Sequence, residues 1–391
     1  MLTESEVQKL LRISRTTLYM LRKKGKIPFY KVGHGYRYDK NEVLEAFRIK
    51  KQEAQSFKSK RLYRAIDLFA GIGGIRLGFE QAFGDRINFV YSNDNNKYAC
   101  RTYEENFGTI SCEDIDDVIT KPTRIPDHDI LLGGFPCQPF SIAGEKKGFE
   151  DKTRGTLFHT IAKILAFKKP AIFLLENVRN FEHHDKGRTW ATVKDVLQND
   201  LHYKVFDKVL NAKYFDVPQN RPRFFMVGFK DESVIFNWPE QHKEPPLLRD
   251  FLDDNVESKY YIGQQYLNSL KEHRRRHEAK GHGFGYKVLD PDNEVARTLV
   301  VGGMGKERNL IQNHPLPDCW KPGDDPLKKK NDEGIRRLTV REFARLQGFP
   351  DTYTIPVSET QAYRQFANSV AVPVIKAIAE SILQVLEKKC N

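Results

Sequence analysis

The chain has 391 residues, enough for two or three domains, and its 39% hydrophobic content predicts packed cores and excludes wholesale disorder. No apolar run reaches about 18 residues, so no bilayer span is expected, and MLTESEVQKLL lacks the apolar stretch of a secretion signal. The formal charge is +12, and residues 1–60 supply +9 of it through 15 Lys and Arg against 6 Asp and Glu. A positive N-terminal piece on a more balanced body suits two separate contacts with a polyanion. The five cysteines (Cys100, Cys112, Cys137, Cys319, Cys390) show no C-x-x-C pairing. Neither a disulfide framework nor a metal site is expected, and a reducing cytoplasm fits best.

In chain order, Thr3-Glu4-Ser5-Glu6 has the spacing of a capping box, followed by an apolar face of Val7, Leu10 and Leu11. Ser14 can cap a second helix over Arg15–Lys24, with Leu18 and Leu21 inward, and Gly25 stops it. Phe29 to Tyr38 alternates around Gly33-His34-Gly35, a hairpin pattern, and Asp39 can cap a third helix to about Lys50. Residues 1–56 therefore resemble the winged helix-turn-helix modules of excisionases and MerR-type regulators. That resemblance turns Arg15, Thr16, Thr17, Tyr19, Arg22 and Lys23 toward a major groove, and His34, Tyr36 and Arg37 toward backbone or minor groove. The competing reading is a helical hairpin that packs on the body with its charges solvated. Gln52 to Lys60 is polar and lacks a core pattern, so it reads as a linker.

Tyr63–Leu68 is a short apolar strand running into Phe69-Ala70-Gly71-Ile72-Gly73-Gly74 and an amphipathic helix. Strand, glycine turn and helix form the first crossover of a doubly wound α/β sheet, with backbone free to approach a ligand at the helix start. A second strand ends in Asn93-Asp94, 23 residues after Gly71, where an acid can accept both hydroxyls of a ribose. This spacing does not separate a nicotinamide cofactor from S-adenosyl-L-methionine. Asp129–Leu132 is the next strand, and Cys137 follows its carboxyl end in Phe135-Pro136-Cys137-Gln138. A thiol there needs a base, a helix start or a cation to become a nucleophile. The strand Ala171–Leu175 delivers Glu176 to the same edge, where burial can leave the carboxyl protonated. Arg221 and Arg223 stand before the strand Phe224–Phe229, more cation than solubility requires.

The ordered segments DLFAGIGG, SNDNNKYA, GGFPCQPFS, RGTLF, ENV, QNRPR, RRLTVREFARLQGFPD and QAYRQFANSV resemble the motif set of the cytosine-C5 DNA methyltransferases. The resemblance covers residues 62–391 except 230–335, and no catalytic position departs from it. It implies a doubly wound S-adenosyl-L-methionine-dependent domain over 62–229 and 336–391, with a smaller target-recognition domain over 230–335. The cofactor would lie against Asp67, Phe69, Ala70, Gly71, Gly73, Gly74, Asn93, Asp94, Asp114, Ile115, Pro136, Leu157, Asn368, Ser369 and Val370. Cys137 would attack C6 of a flipped-out cytosine, protonated Glu176 would bind N3, Arg223 would hold the O2 side, and Arg221 would anchor or polarise Cys137. Gln138, Ser141 and the stretch 142–148 would fill the vacated space or hold phosphates. Thr298 would support the flipped nucleotide, with Gly303, Lys306 and Arg308 in a base-reading loop that an ordinary turn would equally explain. VVGGMGKERNLI looks like the bacterial enzymes that modify CCNGG-type sites, and Lys328–Arg337 reads as an exposed linker. The implied partners are double-stranded DNA, the chain's own promoter through residues 1–56, and, functionally, a cognate restriction endonuclease. A regulator with a vestigial catalytic body and a tRNA methyltransferase are the alternatives, and the intact Cys137, Glu176 and Arg223 weigh against the first.

Overall fold

The computed structural model describes residues 1–11, 13, 15–23, 25, 27–32, 35–40, 42–43, 61–136, 157–281, 285–300, 305–313 and 330–388. Cys137, Gln138, Ser141, Gly303, His34, the 52–60 linker and the Arg15 and Thr16 side chains lie outside that description.

The N-terminal module contains β1 (Leu2–Thr3), α1 (Glu4–Leu11), α2 (Arg15–Lys23), β2 (Tyr30–Val32) and β3 (Gly35–Tyr38). The capping box forms as its spacing predicts, the Thr3 amide donating to Glu6 Oε2 at 2.8 Å and the Glu6 amide to Thr3 Oγ1 at 3.3 Å. Val7, Leu18, Ile27, Tyr38 and Val43 make a small separate core, whereas Leu10, expected inward, is exposed. The pairing of β1 with β3, Leu2 opposite Tyr38, is a sheet edge that the sequence reading missed.

The central sheet contains β4 (Tyr63–Leu68), β5 (Ile87–Asn93), β6 (Ile130–Gly134), β7 (Ile172–Val178), β8 (Lys204–Asn211) and β10 (Pro222–Phe229), in the order β5-β4-β6-β7-β10-β8. The first four strands are parallel, and β10 runs antiparallel between β7 and β8. β4 is thus the switch point: the chain leaves it for β5 on one side and returns to β6 on the other, which opens a crevice at the strands' carboxyl ends. β8 was not anticipated. Its KVFDKVLN alternates only loosely, with Asp207 on one face and Lys204 and Lys208 on the other among the apolar residues.

Helix α3 (Gly74–Phe83) follows the glycine turn, and the C-terminal α11 (Val372–Lys388) packs directly on it. Contact is close because residue 78 is glycine: a Cβ there would come within 2.6 Å of Ile375 Cγ2. The apolar length of this C-terminal region is used in that packing, since Val372, Ile375, Ile378 and Ile382 are core residues. Between them lie α4 (Lys97–Phe107), α5 (Ile115–Ile119), α6 (Leu157–Lys168), α7 (Arg188–Asp195), α8 (Gln264–Glu278), α9 (Val340–Leu346) and α10 (Glu359–Asn368).

Residues 230–335 hold α8 and the strands β11 (Val288–Leu289) and β13 (Leu310–Gln312), which form a small sheet with β14 (Ile335–Arg337) at the boundary. The short β12 (Ala296–Arg297) pairs in parallel with β9 (Gln219–Asn220). The basic run at 271–280 is helical, its charges partly matched by Glu333 and Glu278.

The exposed linker expected over Lys328–Arg337 is corrected in its described part. Asn331, Ile335 and Arg336 are buried, and Arg336 has no solvent exposure. Its guanidinium makes a two-pronged pair with Glu342, Nη2 to Oε1 at 2.8 Å and Nη1 to Oε2 at 2.9 Å. Glu342 also completes the capping box of α9 with Thr339 and accepts from the Asp253 amide. A charge run signals a solvated loop only while its partners are distant, and this partner is six residues away. Removing one member of such a pair strands a buried charge. Glu342→Gln should therefore lower unfolding stability by about 3 kcal/mol or more in urea denaturation, and a double change of Arg336 and Glu342 to apolar residues should cost less.

Candidate active site

A cleft of about 840 Å³ opens at the carboxyl ends of β4, β5, β6 and β7. Its floor is the turn after β4. Phe69 there has φ 55°, a left-handed backbone that a bulky side chain adopts only under constraint from its surroundings. The constraint is visible in the Ala70 amide donating to the Asn93 carbonyl at 3.0 Å and the Gly73 amide to the Ala70 carbonyl at 2.8 Å. Gly73 and Gly74 are required for different reasons. Gly73 has φ 76°, and a Cβ on it would fall 2.3 Å from the Phe107 ring; a Cβ on Gly74 would fall 2.5 Å from Ser369 Oγ. The second contact lets the returning C-terminal segment close one wall.

Asp94 accepts the Gly71 amide on Oδ2 at 2.9 Å and the Asn96 amide on Oδ1 at 2.8 Å. Each oxygen keeps a lone pair for a hydroxyl from the cleft. Asn93 donates to the carbonyls of Ser111 and Glu113, at 3.1 and 2.9 Å, which holds Asp114 and Ile115 beside Asp94. Phe69, Ala70, Gly71, Gly74, Asn93, Asp94, Asp114, Ile115, Pro136, Leu157, Asn368, Ser369 and Val370 all line the cleft. Asp67 and Gly73, expected among them, do not. Gly73 shapes the floor from below. Asp67 is fully buried behind it, with neither carboxylate oxygen hydrogen-bonded among the described residues.

The other half of the cleft is polar and dry. Glu176 stands at the end of β7, opposite Gly134 of β6 and Phe225 of β10. Gly134 leaves it room, since a Cβ there would sit 3.4 Å from Glu176 Oε2. Arg223 Nε lies 3.2 Å from Glu176 Oε1, and both side chains are largely buried. Desolvation raises the Glu176 carboxyl above its usual range, with Arg223 and then Arg221 opposing. Burial likewise lowers Arg223, which the Glu176 charge resists. Asn177, part of the ENV segment but given no role from sequence, donates to the Phe135 carbonyl at 2.9 Å. It ties the chain leading into Cys137 to the strand that carries Glu176.

Arg221 is brought to this cleft, and its guanidinium is engaged with three backbone carbonyls. Its Nη1 donates to the Leu299 carbonyl at 3.2 Å, and its Nη2 to the carbonyls of Ala367 and Ser369 at 2.7 and 2.5 Å. Desolvation, with Arg223 beside it, pushes its pKa down to about 9. Its Nε is left without a partner among the described residues. Gln219, the first residue of QNRPR, bridges the Leu346 carbonyl and the Leu299 amide at 2.8 and 3.1 Å. Thr298 Oγ1 donates to the Asn220 carbonyl at 2.6 Å, which fixes the Thr-Leu element at the rim. Gln361, Arg364 and Gln365 line the cleft as well. Their i, i+3, i+4 spacing ahead of Asn368 is a helix-face signal that could have found them.

The expected DNA-reading residues fare unevenly. Arg308 is exposed, but the Lys306 ammonium lies 3.9 Å from the centroid of the Tyr363 ring. In the N-terminal module Thr17 is exposed and Arg37 Nη1 donates to the Tyr36 carbonyl at 3.0 Å. Arg22 is a correction. It pairs with Glu4, donates to Tyr38 Oη at 2.9 Å and lies 3.5 Å over the Tyr36 ring, so it braces the module internally.

Asp67 makes the pH behaviour testable. Burial pushes its pKa up to about 8, with Arg76 opposing and Asp94 and Glu80 adding. A folded pKa above the unfolded value means the native state holds the extra proton, so this group's contribution is whole below about pH 4. It declines as pH rises and is lost through pH 8. Asp67→Asn should therefore flatten the fall in urea midpoint between pH 5 and 8; an unchanged slope would show that Asp67 is ionised in the fold.

Comparison with known proteins agrees with this geometry. The family model for C-5 cytosine-specific DNA methylases matches residues 63–384, and one for a helix-turn-helix domain matches residues 1–48. The chain is 47% identical over 325 residues to the type II methyltransferase M.HpaII of Haemophilus parainfluenzae, covering 82% of this chain and 89% of that protein. It is 45% identical over 322 residues to M.NlaX of Neisseria lactamica, covering 82% and 96%. Among solved structures, the S. pombe Dnmt2 methyltransferase superposes with a TM-score of 0.61 at 22% identity, covering 84% of this chain and 99% of that one, which speaks to the fold. With a family match across most of its length and relatives of this closeness, the chain belongs to the C-5 cytosine-specific DNA methylases.

Proposed function

We propose that this methyltransferase modifies C5 of a cytosine flipped out of one specific duplex site, with Cys137 as nucleophile, and so protects that site from a cognate restriction endonuclease. The observation that carries the reading is the buried Glu176–Arg223 pair beside the strand end that leads into Cys137. Cys137 adds as thiolate to C6. Glu176, protonated because burial disfavours its charge, donates to N3 and draws electron density from the ring. Arg223 stabilises the O2 side, where negative charge develops. C5 thereby becomes nucleophilic and would take the methyl group as its bond to the donor sulfonium breaks, the donor leaving as a neutral thioether. A base, assigned here to water, then removes the C5 proton, the thiolate is eliminated from C6, and aromaticity returns.

The residues fit S-adenosyl-L-methionine: a glycine floor that admits no Cβ at residue 74, Asp94 with spare acceptor capacity, and Asp114-Ile115 alongside. When bound, it supplies an electrophilic methyl group on a sulfonium. Phe69, Asp94, Asp114 and Ile115 would hold its nucleoside end, and Asn368, Ser369 and Val370 would close over it. Cys137→Ser should abolish transfer of labelled methyl to duplex DNA while leaving cofactor affinity within about twofold, as a change confined to the chemical step would. Retained turnover would refute the nucleophile.

Residues 230–335 are proposed as the target-recognition domain, closing the DNA side through Thr298, Lys306 and Arg308. The segment VVGGMGKERNLI supports a CCNGG-type target. Residues 1–56 are proposed as a second DNA-binding module acting on the chain's own promoter in a cytoplasmic, nucleoid-associated enzyme. Their +7 charge balance and exposed Thr17 support that reading. Bisulfite sequencing of DNA from cells expressing the full chain should show one CCNGG-type methylated context, and a chain lacking residues 1–56 should show the same one while losing promoter retention. Methylation at unrelated contexts would overturn the target, and loss of all methylation on truncation would place the module in the catalytic machinery.

A further inference from the structure

The cleft has two walls built from segments distant in sequence. Leu299, next to Thr298, belongs to the wall assigned to DNA. Ala367 to Ser369 belong to the C-terminal segment that closes over the cofactor end. One side chain touches both. The Arg221 fork donates to the Leu299 carbonyl through Nη1, and to the Ala367 and Ser369 carbonyls through Nη2. It is 2% exposed, so water does not replace a lost partner.

Neighbouring bonds make the connection stiff. On the DNA side, Thr298 donates to the Asn220 carbonyl and the Leu299 amide to Gln219 Oε1. On the other side, Gln219 Nε2 reaches the Leu346 carbonyl, and Gln347 Nε2 the Phe366 carbonyl at 2.6 Å. A shift of either wall alone would strand a charged donor in a dry site, where an unmade hydrogen bond is costly. The two walls must therefore settle together.

We infer that Arg221 is a positioning residue that couples the two ligands: target DNA seated against Thr298-Leu299 tightens the cofactor end, and cofactor tightens DNA by the same factor. The inference rests on the proposed assignment of residues 230–335 to the DNA side. It concerns binding and is separable from turnover.

The test uses the full chain, S-adenosylhomocysteine as cofactor probe, and a duplex carrying the site mapped by bisulfite sequencing. Calorimetry gives the probe's affinity with and without saturating duplex. For the native chain the ratio should be about fivefold or more, within the usual range of coupling between sites. Arg221→Met should bring it close to one. Arg221→Lys should do the same, because a single ammonium keeps the charge near Glu176 but lacks the fork that spans both walls. If Arg221→Met fails to fold by circular dichroism, Thr298→Val, which releases the Asn220 carbonyl, should also lower the ratio. A native ratio of one, or a native ratio retained in any of these variants that folds, overturns the inference. Methyl transfer by the native chain on the same duplex is scored separately, so failure of the methyltransferase reading would be distinguishable from failure of the coupling.

Discussion

The site depends on a carboxyl group kept out of water beside two guanidinium groups. Glu176 is pulled in opposite directions: burial favours its proton, and Arg223 at 3.2 Å favours its charge. Burial is the larger influence, and it lowers Arg223 and Arg221 as well. Raising a carboxyl above its usual range favours its protonated form, the form that can donate a hydrogen bond. The dryness that sets the balance comes from β7 and β10, each flanked by strands and covered by core side chains on both faces. An open sheet edge would have left Glu176 an ordinary acid.

Keeping that pocket dry takes the end of the chain as well as its middle. α11 packs on α3 through Gly78, Ser369 meets the space that Gly74 leaves, and Tyr353 Oη donates to the Ile72 carbonyl at 2.5 Å. Buried polar groups secure the return path: Arg336 with Glu342, Arg345 with Asp253 and Asp351, and Gln219 and Gln347 on backbone carbonyls. Hydrogen bonds of this kind are directional, so they fix where the C-terminal segment lies as well as holding it there. An apolar seam of equal area would tolerate sliding.

Much of this was legible from residue order. The glycine turn, the acid at the end of the next strand and the carboxyl on β7 are local signals, and each sits at a strand end where the doubly wound pattern puts ligands. Two kinds of feature were not legible. Arg336, written inside KKKNDEGIRR, reads as solvated until Glu342 is folded against it. The contacts of Arg221 were not legible either: it lies between β9 and β10, and its fork meets the Leu299 carbonyl and the 367–369 segment. Asp67 was misplaced for a related reason: a motif residue can support a ligand loop from beneath without reaching the ligand. For Arg221 the deciding partners are remote in sequence, and local pattern carries no information about them.

Arg22 extends the same argument to the N-terminal module. On a helical wheel it belongs with the residues that would face a groove, and its charge favours that placement. The fold instead surrounds it with Glu4, Tyr38 and the Tyr36 ring, closing α1, α2 and β3 around a core that, among the described residues, has five buried apolar side chains. So small a core leaves little apolar area to stabilise the module, and a braced cation supplies part of what is missing. The charge available for phosphate contact is then carried by other basic residues, such as the exposed Lys23 and Lys31. A basic helix is therefore weak evidence for which of its cations reaches DNA, because a domain this small must use some of them to hold itself together.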